Sequence, residues 1–212
     1  MRQQWDKLEK FMAEKTPNVF DVLNDGIEDH HWKDLEEKID VNLPQDFKDF
    51  YAIHNGLSHY EAPFFFSFGF LTQEQVVIAW ENWVEFLGEH TPEELAEDFD
   101  SEITSEMPEH VKAVYANKKW IPFAHDWGGN HIGLDLDPNP KGAVGQVINF
   151  GVDEDSKFVL ADSFTGFINW MLKQIADGNY VVKKPEDGDE VLYLKEPDLF
   201  FTDAVRQLIM NE

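Results

Sequence analysis

Residues 120–142, WIPFAHDWGGNHIGLDLDPNPKG, carry two histidines and three aspartates around a Gly-Gly pair. These are the side chains from which a metal centre or an acid–base pair is built. A calcium loop is the sharpest of the possible chemistries, because Asp135, Asp137 and Asn139 place oxygen ligands at alternate positions of DLDPNPKGAVGQ. It fails at two points: the EF-hand needs glycine sixth and glutamate twelfth, and here Pro140 and Gln146 stand there. A transition-metal site from His125, Asp126 and His131 remains possible in type, but the spacing matches no zinc signature. The simpler account is a hairpin turn over Asp126–Asn130, with glycines accepting positive φ and Asp and Asn satisfying exposed backbone.

Other catalytic arrangements are missing from the chain. It contains no GxSxG, GxxxxGK[ST], HExxH or GxGxxG, the motifs of common hydrolases, phosphate loops, zinc proteases and dinucleotide binders. With 42 acidic residues, a carboxylate pair suitable for glycoside chemistry has almost no specificity. His30-His31 and the pair His54 and His59 read as surface or capping residues. The absence of these motifs weighs against the common hydrolase classes and assigns no catalytic residue, cofactor or metal; a metal-dependent enzyme using His125, Asp126 and His131 is the least favoured reading.

The elements that would position the 120–142 stretch follow from periodicity. Trp5, Leu8, Phe11 and Met12 recur at helical spacing, a helical turn is predicted near Phe20–Leu23, and Trp32, Leu35 and Ile39 mark a further helix. In NLPQDFKDFYAIHNG, Pro44 opens a helix with Phe47, Phe50, Tyr51 and Ile53 buried, and Asn55-Gly56 stops it. FFFSFGFL (64–71) reads as one buried strand. Thr72 and Gln75 form a capping box for a helix whose Val76, Val77, Trp80, Trp83, Val84 and Leu87 face the core. Residues 88–107 carry eight acids and no Lys or Arg, with a cap signature at Thr91–Glu94, and read as a solvated insertion. A short helix over Pro108–Tyr115 is expected next, then strands in WIPFA, HIGLDL, GQVINFG and KFVLA. If HIGLDL is a strand, Ile132, Leu134 and Leu136 face a core, while His131, Gly133 and Asp135 face water. Asp162-Ser163 caps a helix with Phe164, Phe167, Ile168, Met171, Leu172 and Ile175 on one face, ending at Gly178. Two strands around PEDGDE and a terminal helix complete the chain. The expected fold is α+β: a single domain over residues 1–212 whose mainly antiparallel central sheet is flanked by helices.

Composition bounds the partners. The 212 residues are 42% apolar and 14% aromatic, enough for a real core. Seventeen Lys plus Arg against 42 Asp plus Glu give a formal net charge of −25, which repels nucleic acid and anionic membranes and attracts basic proteins, metal cations or cationic substrates, unless it serves solubility alone. Zero cysteines exclude disulfides, thiolate zinc sites and a cysteine nucleophile in this chain. The start has no apolar stretch like a signal-peptide core, and APFFFSFGFL is too short to span a membrane. A cytoplasmic location is expected.

Three segments, LPQDFKDFYAIHNG (43–56), residues 120–150 and DSFTGFINWMLKQI (162–175), together resemble the SUKH superfamily, in particular the branch named for a cell-wall-assembly and glucan-synthesis regulator. Leu43-Pro44, Trp120-Ile121-Pro122, Asp126, Gly129-Asn130, Asp135-Leu136-Asp137 and Gly145-Gln146-Val147 carry it in order, over roughly residues 25–178. The resemblance implies an α+β fold without an established catalytic centre, and a protein-binding role. Bacterial members look like immunity proteins that neutralise toxins, and fungal members act as regulatory hubs. The insertion at 88–107 and the extension over 180–212 exceed the family pattern. The expectation that follows is an immunity protein that binds a basic, nuclease-type toxin; a regulator or scaffold in cell-wall and glucan synthesis is the alternative. The expected binding surface is the hairpin with Asp126, Trp127, Asn130, His131, Asp135 and Asp137. Trp127 there is either an exposed anchor ringed by acids or folded back onto the sheet.

Overall fold

The computed structural model describes residues 1–60, 62–88, 90–91, 94, 103–184, 190–195 and 198–210. Most of the acidic insertion and of the PEDGDE turn lie outside the described residues; the Thr91 and Glu94 pair lies within them and forms the reciprocal cap, Glu94 N to Thr91 Oγ1 at 3.2 Å and Thr91 N to Glu94 Oε2 at 2.8 Å. The described helices are α1 (Arg2–Lys15), α2 (Pro17–Phe20), α3 (Lys33–Ile39, entered through a 3₁₀ turn Asp29–Trp32), α4 (Gln45–Tyr51), α5 (Gln73–Leu87), α6 (Phe164–Ala176) and α7 (Phe201–Met210). The strands are β1 (Pro63–Phe65), β2 (Phe68–Phe70), β3 (Thr104–Ser105), β4 (Trp120–His125), β5 (Asn130–Asp135), β6 (Gln146–Gly151), β7 (Ser156–Lys157), β8 (Val159–Ala161), β9 (Tyr180–Lys183) and β10 (Val191–Leu194). Six form one antiparallel sheet in the order β1-β2-β4-β5-β6-β8; β9 with β10 and β3 with β7 make two small ladders. The α+β expectation holds: one antiparallel sheet with helices packed on it.

The main core is aromatic. Phe123 of β4 sits between Phe164 (5.1 Å), Phe65 (5.6 Å), Phe167 (5.7 Å) and Phe47 (6.1 Å), so a single strand residue gathers β1, α4 and α6. Trp5 of α1 stacks on Phe50 at 4.3 Å and its indole N–H donates to the Phe50 carbonyl at 3.0 Å. Burying each such ring contributes about 2–3 kcal/mol. Caps sit where sequence places them. Thr72 and Gln75 close a capping box on α5, and Ser163 Oγ accepts from Gly166 N on α6. The 180–212 extension is built into this core, since Leu192, Leu194, Phe201, Ala204 and Val205 are all buried in it.

Three expectations are corrected. First, FFFSFGFL is not one strand but the β1–β2 hairpin, turned at Phe66 and Ser67 with φ of 45° and 72°. Left-handed backbone is costly for a non-glycine residue; it is held here because the Phe66 ring is fully buried against Trp170 and Phe201. Second, Pro108–Tyr115 makes one turn and no helix. The carbonyls of Pro108, Glu109 and His110 accept from Asn139 Nδ2, Lys141 N and Asn139 N, so the 135–146 loop takes the acceptors that a helix would use. Third, the face of β5 bearing His131, Gly133 and Asp135 is not wet. Val111 and Val114 pack there with Trp120, Ile148, Phe150 and Val159 as a second, smaller core. A Cβ on Gly133 would lie 2.5 Å from the Phe150 ring and from the Ile121 carbonyl oxygen, so glycine is what lets that ring lie across the strand.

The hairpin turn yields a paired prediction. Ser67→Gly removes the left-handed penalty and raises stability by up to about 1 kcal/mol, whereas Phe66→Gly, which deletes a buried ring, lowers it by about 3 kcal/mol or more. Urea unfolding of both variants checks the pair; equal and opposite small shifts would show that the ring does not hold the turn.

Candidate protein-interaction site

The β4–β5 turn is closed by its own polar side chains. Asp126 Oδ1 accepts from Gly128 N (2.8 Å) and Asn130 N (2.9 Å), and its Oδ2 accepts from Asn130 Nδ2 (2.7 Å). Asn130, itself buried, accepts from Asp153 N at 2.8 Å and so ties the turn to the end of β6. These bonds are the turn chemistry expected of Asp and Asn. Among the described residues no three His, Asp or Glu side chains gather as metal ligands.

The six expected surface residues fall into two groups. Asp126, Trp127, Asn130 and His131 sit together at the turn. Register pairs His125 with His131 but Trp120 with Asp135, placing Asp135 about 13 Å further along the strand. Asp135 is fully buried, accepting from Trp120 Nε1 (3.0 Å), Asp137 N (2.9 Å) and Gln146 Nε2 (2.9 Å). Burial raises its pKa despite these three donors. Its role is internal, and a partner has no route to its carboxylate. Asp137 is half-buried beside Lys112 Nζ (2.5 Å) and Asn117 Nδ2 (2.9 Å); burial opposes its charge, but those donors outweigh it and lower its pKa. It tethers the 107–119 segment over the second core.

Trp127 does both things expected of it. Its backbone is left-handed (φ 64°), its indole N–H donates to the Tyr60 carbonyl at 3.0 Å, and its ring lies 4.9 Å from that of His125, yet 39% of the residue stays exposed. A Cβ on Gly69 would come within 2.7 Å of His125 Nε2 and 3.2 Å of the Trp127 ring, so β2 leaves space for this pair only by carrying glycine there.

Beside the turn runs a groove of about 370 Å³. One wall is α5, presenting Gln75, Ile78, Ala79, Asn82, Trp83 and Phe86. The other is made by His125, Gly129 and His131 of the hairpin with Tyr60, Tyr115 and Val152. Trp83, expected in the core, lies instead on the groove wall, 6.1 Å from the rings of His131, Tyr115 and Phe150. Sequence reasoning merged two stripes of α5: Val76, Trp80 and Leu87 are buried, while 75, 78, 79, 82, 83 and 86 repeat at the same helical period on an adjacent face. That second repeat was the available signal. Burial lowers the pKa of both imidazoles, with His131 down to about 4, so both are neutral at pH 7.

A family model, SMI1 / KNR4 family (SUKH-1), matches residues 26–170, more than half of the chain. The chain belongs to this family. It is 30% identical over 215 residues to the "Glucan synthesis regulatory protein" of Neurospora crassa, covering 88% of this chain and 40% of that protein. It is 29% identical over 224 residues to the "Cell wall assembly regulator SMI1" of Saccharomyces cerevisiae, covering 91% of this chain and 44% of that one. Against the "Cell wall biosynthesis/cell cycle regulator smi1" of Schizosaccharomyces pombe it is 29% identical over 197 residues, covering 90% and 39%. The chain thus spans less than half the length of these relatives. The SUKH signature residues are largely skeletal here. Gly145 (φ 88°) donates its N–H to the Asp135 carbonyl at 2.8 Å, and a Cβ on it would lie 2.6 Å from Pro44 Cγ, so two signature motifs touch through glycine. The groove residues Tyr60, Ile78, Phe86 and Val152 stand outside those motifs.

Two predictions follow from this geometry. Asp135→Leu strands three buried donors and destabilises by about 3 kcal/mol or more, whereas Asp135→Asn loses only the Gln146 partner and costs about 1–2 kcal/mol; chemical denaturation ranks them, and a Leu variant as stable as Asn would remove Asp135 as the hub. For His131, the folded pKa of about 4 lies below the unfolded value near 6.5. The unfolded chain binds the extra proton between these values, so acidification from about pH 6.5 to 4 removes up to about 3 kcal/mol. His131→Phe abolishes that contribution, measured as the difference between the wild-type and variant stability curves over this range.

Proposed function

We propose that this chain is a non-enzymatic, protein-binding regulatory module for assembly of a glucan-containing cell wall, folded as one SUKH-like domain and working in the cytoplasm. The observation that carries the reading is the family relation: three relatives, each matched over nearly all of this chain, are named regulators of glucan synthesis or cell-wall assembly. The toxin-immunity expectation draws no support from these relatives, and the family relation favours the regulatory alternative. The groove beside the hairpin, lined mainly by apolar and aromatic side chains, supports a binding role. The charge of −25 supports a basic partner, whose encounter it would accelerate at low salt. No helix among the described residues is long and apolar enough to cross a membrane.

Deleting the gene in its source organism, with re-expression of this chain as the control, tests the reading. The expected result is altered wall glucan content that the re-expressed chain corrects. Unchanged wall composition with newly acquired sensitivity to one secreted toxin would replace the regulator by the immunity protein.

A further inference from the structure

The groove is where exposed apolar surface concentrates. Among the described residues nine large hydrophobics are exposed; four of them, Tyr60, Ile78, Phe86 and Val152, line this one groove, and a fifth, Trp127, contacts its lining residues Tyr60 and His125. Ile78 is 57% exposed at mid-helix on α5, where solvent contact alone would favour a charged or polar residue. Such a concentration marks an interaction surface, whereas scattered single residues do not.

Shape and charge select the occupant. From Gln75 to Phe86 the α5 wall is about 16 Å long, room for about five residues of extended chain or three turns of helix. The lining contains no Lys or Arg. Formal charge reaches the groove from carboxylates: Asp153 and Asp155 act on the Tyr115 hydroxyl, and Asp126 acts on both imidazoles. On the solvent side of α5 stand the exposed Glu74 and Glu85, together with Glu81, whose charge is paired with Lys38 Nζ at 2.5 Å. An apolar trough bordered by acids on both sides complements a segment with bulky apolar side chains between basic ones.

We infer that the groove between α5 and the β4–β5 hairpin is a peptide-docking site for a partner segment that inserts two or three aliphatic or aromatic side chains, flanked by Lys or Arg. This deepens the proposed function by naming the partner's chemistry, and it rests on that reading only for biological context. Trp83 of the α5 wall and His131 of the hairpin wall meet edge to face at 6.1 Å, Ile78 and Phe86 contact the inserted side chains, and Asp126, Asp153 and Asp155 set the polarity of the flanks.

The test pans a phage-displayed library of random 16-residue peptides against the whole chain, then measures the enriched synthetic peptides by fluorescence anisotropy. The expected consensus is apolar anchors with flanking Lys or Arg. Ile78→Lys, an exposed change that keeps a good helix former, weakens these peptides at least about 10-fold, the scale of losing one central anchor. Asp155→Lys weakens them about 3-fold at low salt, and raising the salt to about 0.5 M shrinks that difference. Circular dichroism melts confirm that both variants fold. No enriched peptide, an acidic or uncharged consensus, or peptides that bind wild type and Ile78→Lys equally would each overturn the proposal. Ile78→Lys re-expressed in the deletion strain separates the two readings: normal wall glucan with lost peptide binding leaves the regulator standing and removes this groove as its working surface.

Discussion

The fold depends on burying both faces of the β4–β5–β6 strands, and Asp135 is the group that makes the second burial possible. A carboxylate fully removed from water is expensive. This one is matched by three donors, from the Trp120 indole, the Gln146 amide and the Asp137 backbone. Each donor belongs to a different segment that must be in place: the start of β4, the start of β6 and the loop leaving β5. Satisfying the acid therefore fixes the register of the hairpin, while Gln146, which also donates to the His110 carbonyl at 3.0 Å, and Asp137, paired with Lys112, tie on the covering segment whose Val111 and Val114 complete the small core. The main core, centred on Phe123, supplies most of the apolar burial; the Asp135 hub sets the positions of the layers around it.

The groove is a consequence of that arrangement. Because 107–116 covers only part of the second face, the strip of sheet between it and α5 is left with Trp83, His131 and Phe150 around it. The turn at Asp126–Asn130 closes one end. Its own side-chain hydrogen bonds, with those to Asp153 and to the Tyr60 carbonyl, hold it in place as one wall of the groove. Rigid walls lower the entropic cost of docking a peptide, which suits a module that acts by recognition.

What sequence made legible was what local chemistry decides. Helix caps at Thr72 and Ser163 and the Asp–Asn turn follow from the hydrogen-bonding reach of a few side chains within four residues; the helix from Gln45 instead ends at Tyr51, before the left-handed Gly56 expected to stop it. The resemblance through Leu43-Pro44, Trp120-Ile121-Pro122 and Gly145-Gln146-Val147 pointed to the family that the comparison bears out. The errors fell where a segment's partners lie far along the chain. Nothing within 108–115 reveals that residues 139 and 141 capture its carbonyls. Nothing in FFFSFGFL reveals that Phe66 has a pocket made by Trp170 and Phe201, which makes a left-handed turn affordable there.

The candidate site divides along the same line. By itself the sequence determined that the 126–130 stretch is a turn, that no common catalytic motif is present and that partners face a strongly acidic chain, because these follow from residue type, spacing and count. Only the tertiary structure decided that Asp135 and Asn130 are interior, that Trp83 lines a groove and that Ile78 and Phe86 flank it. Periodicity marks an apolar stripe on a helix but not what lies opposite, since one helical repeat can serve a core or a surface. Which of the two it becomes depends on how far another segment, distant in sequence, extends across the sheet.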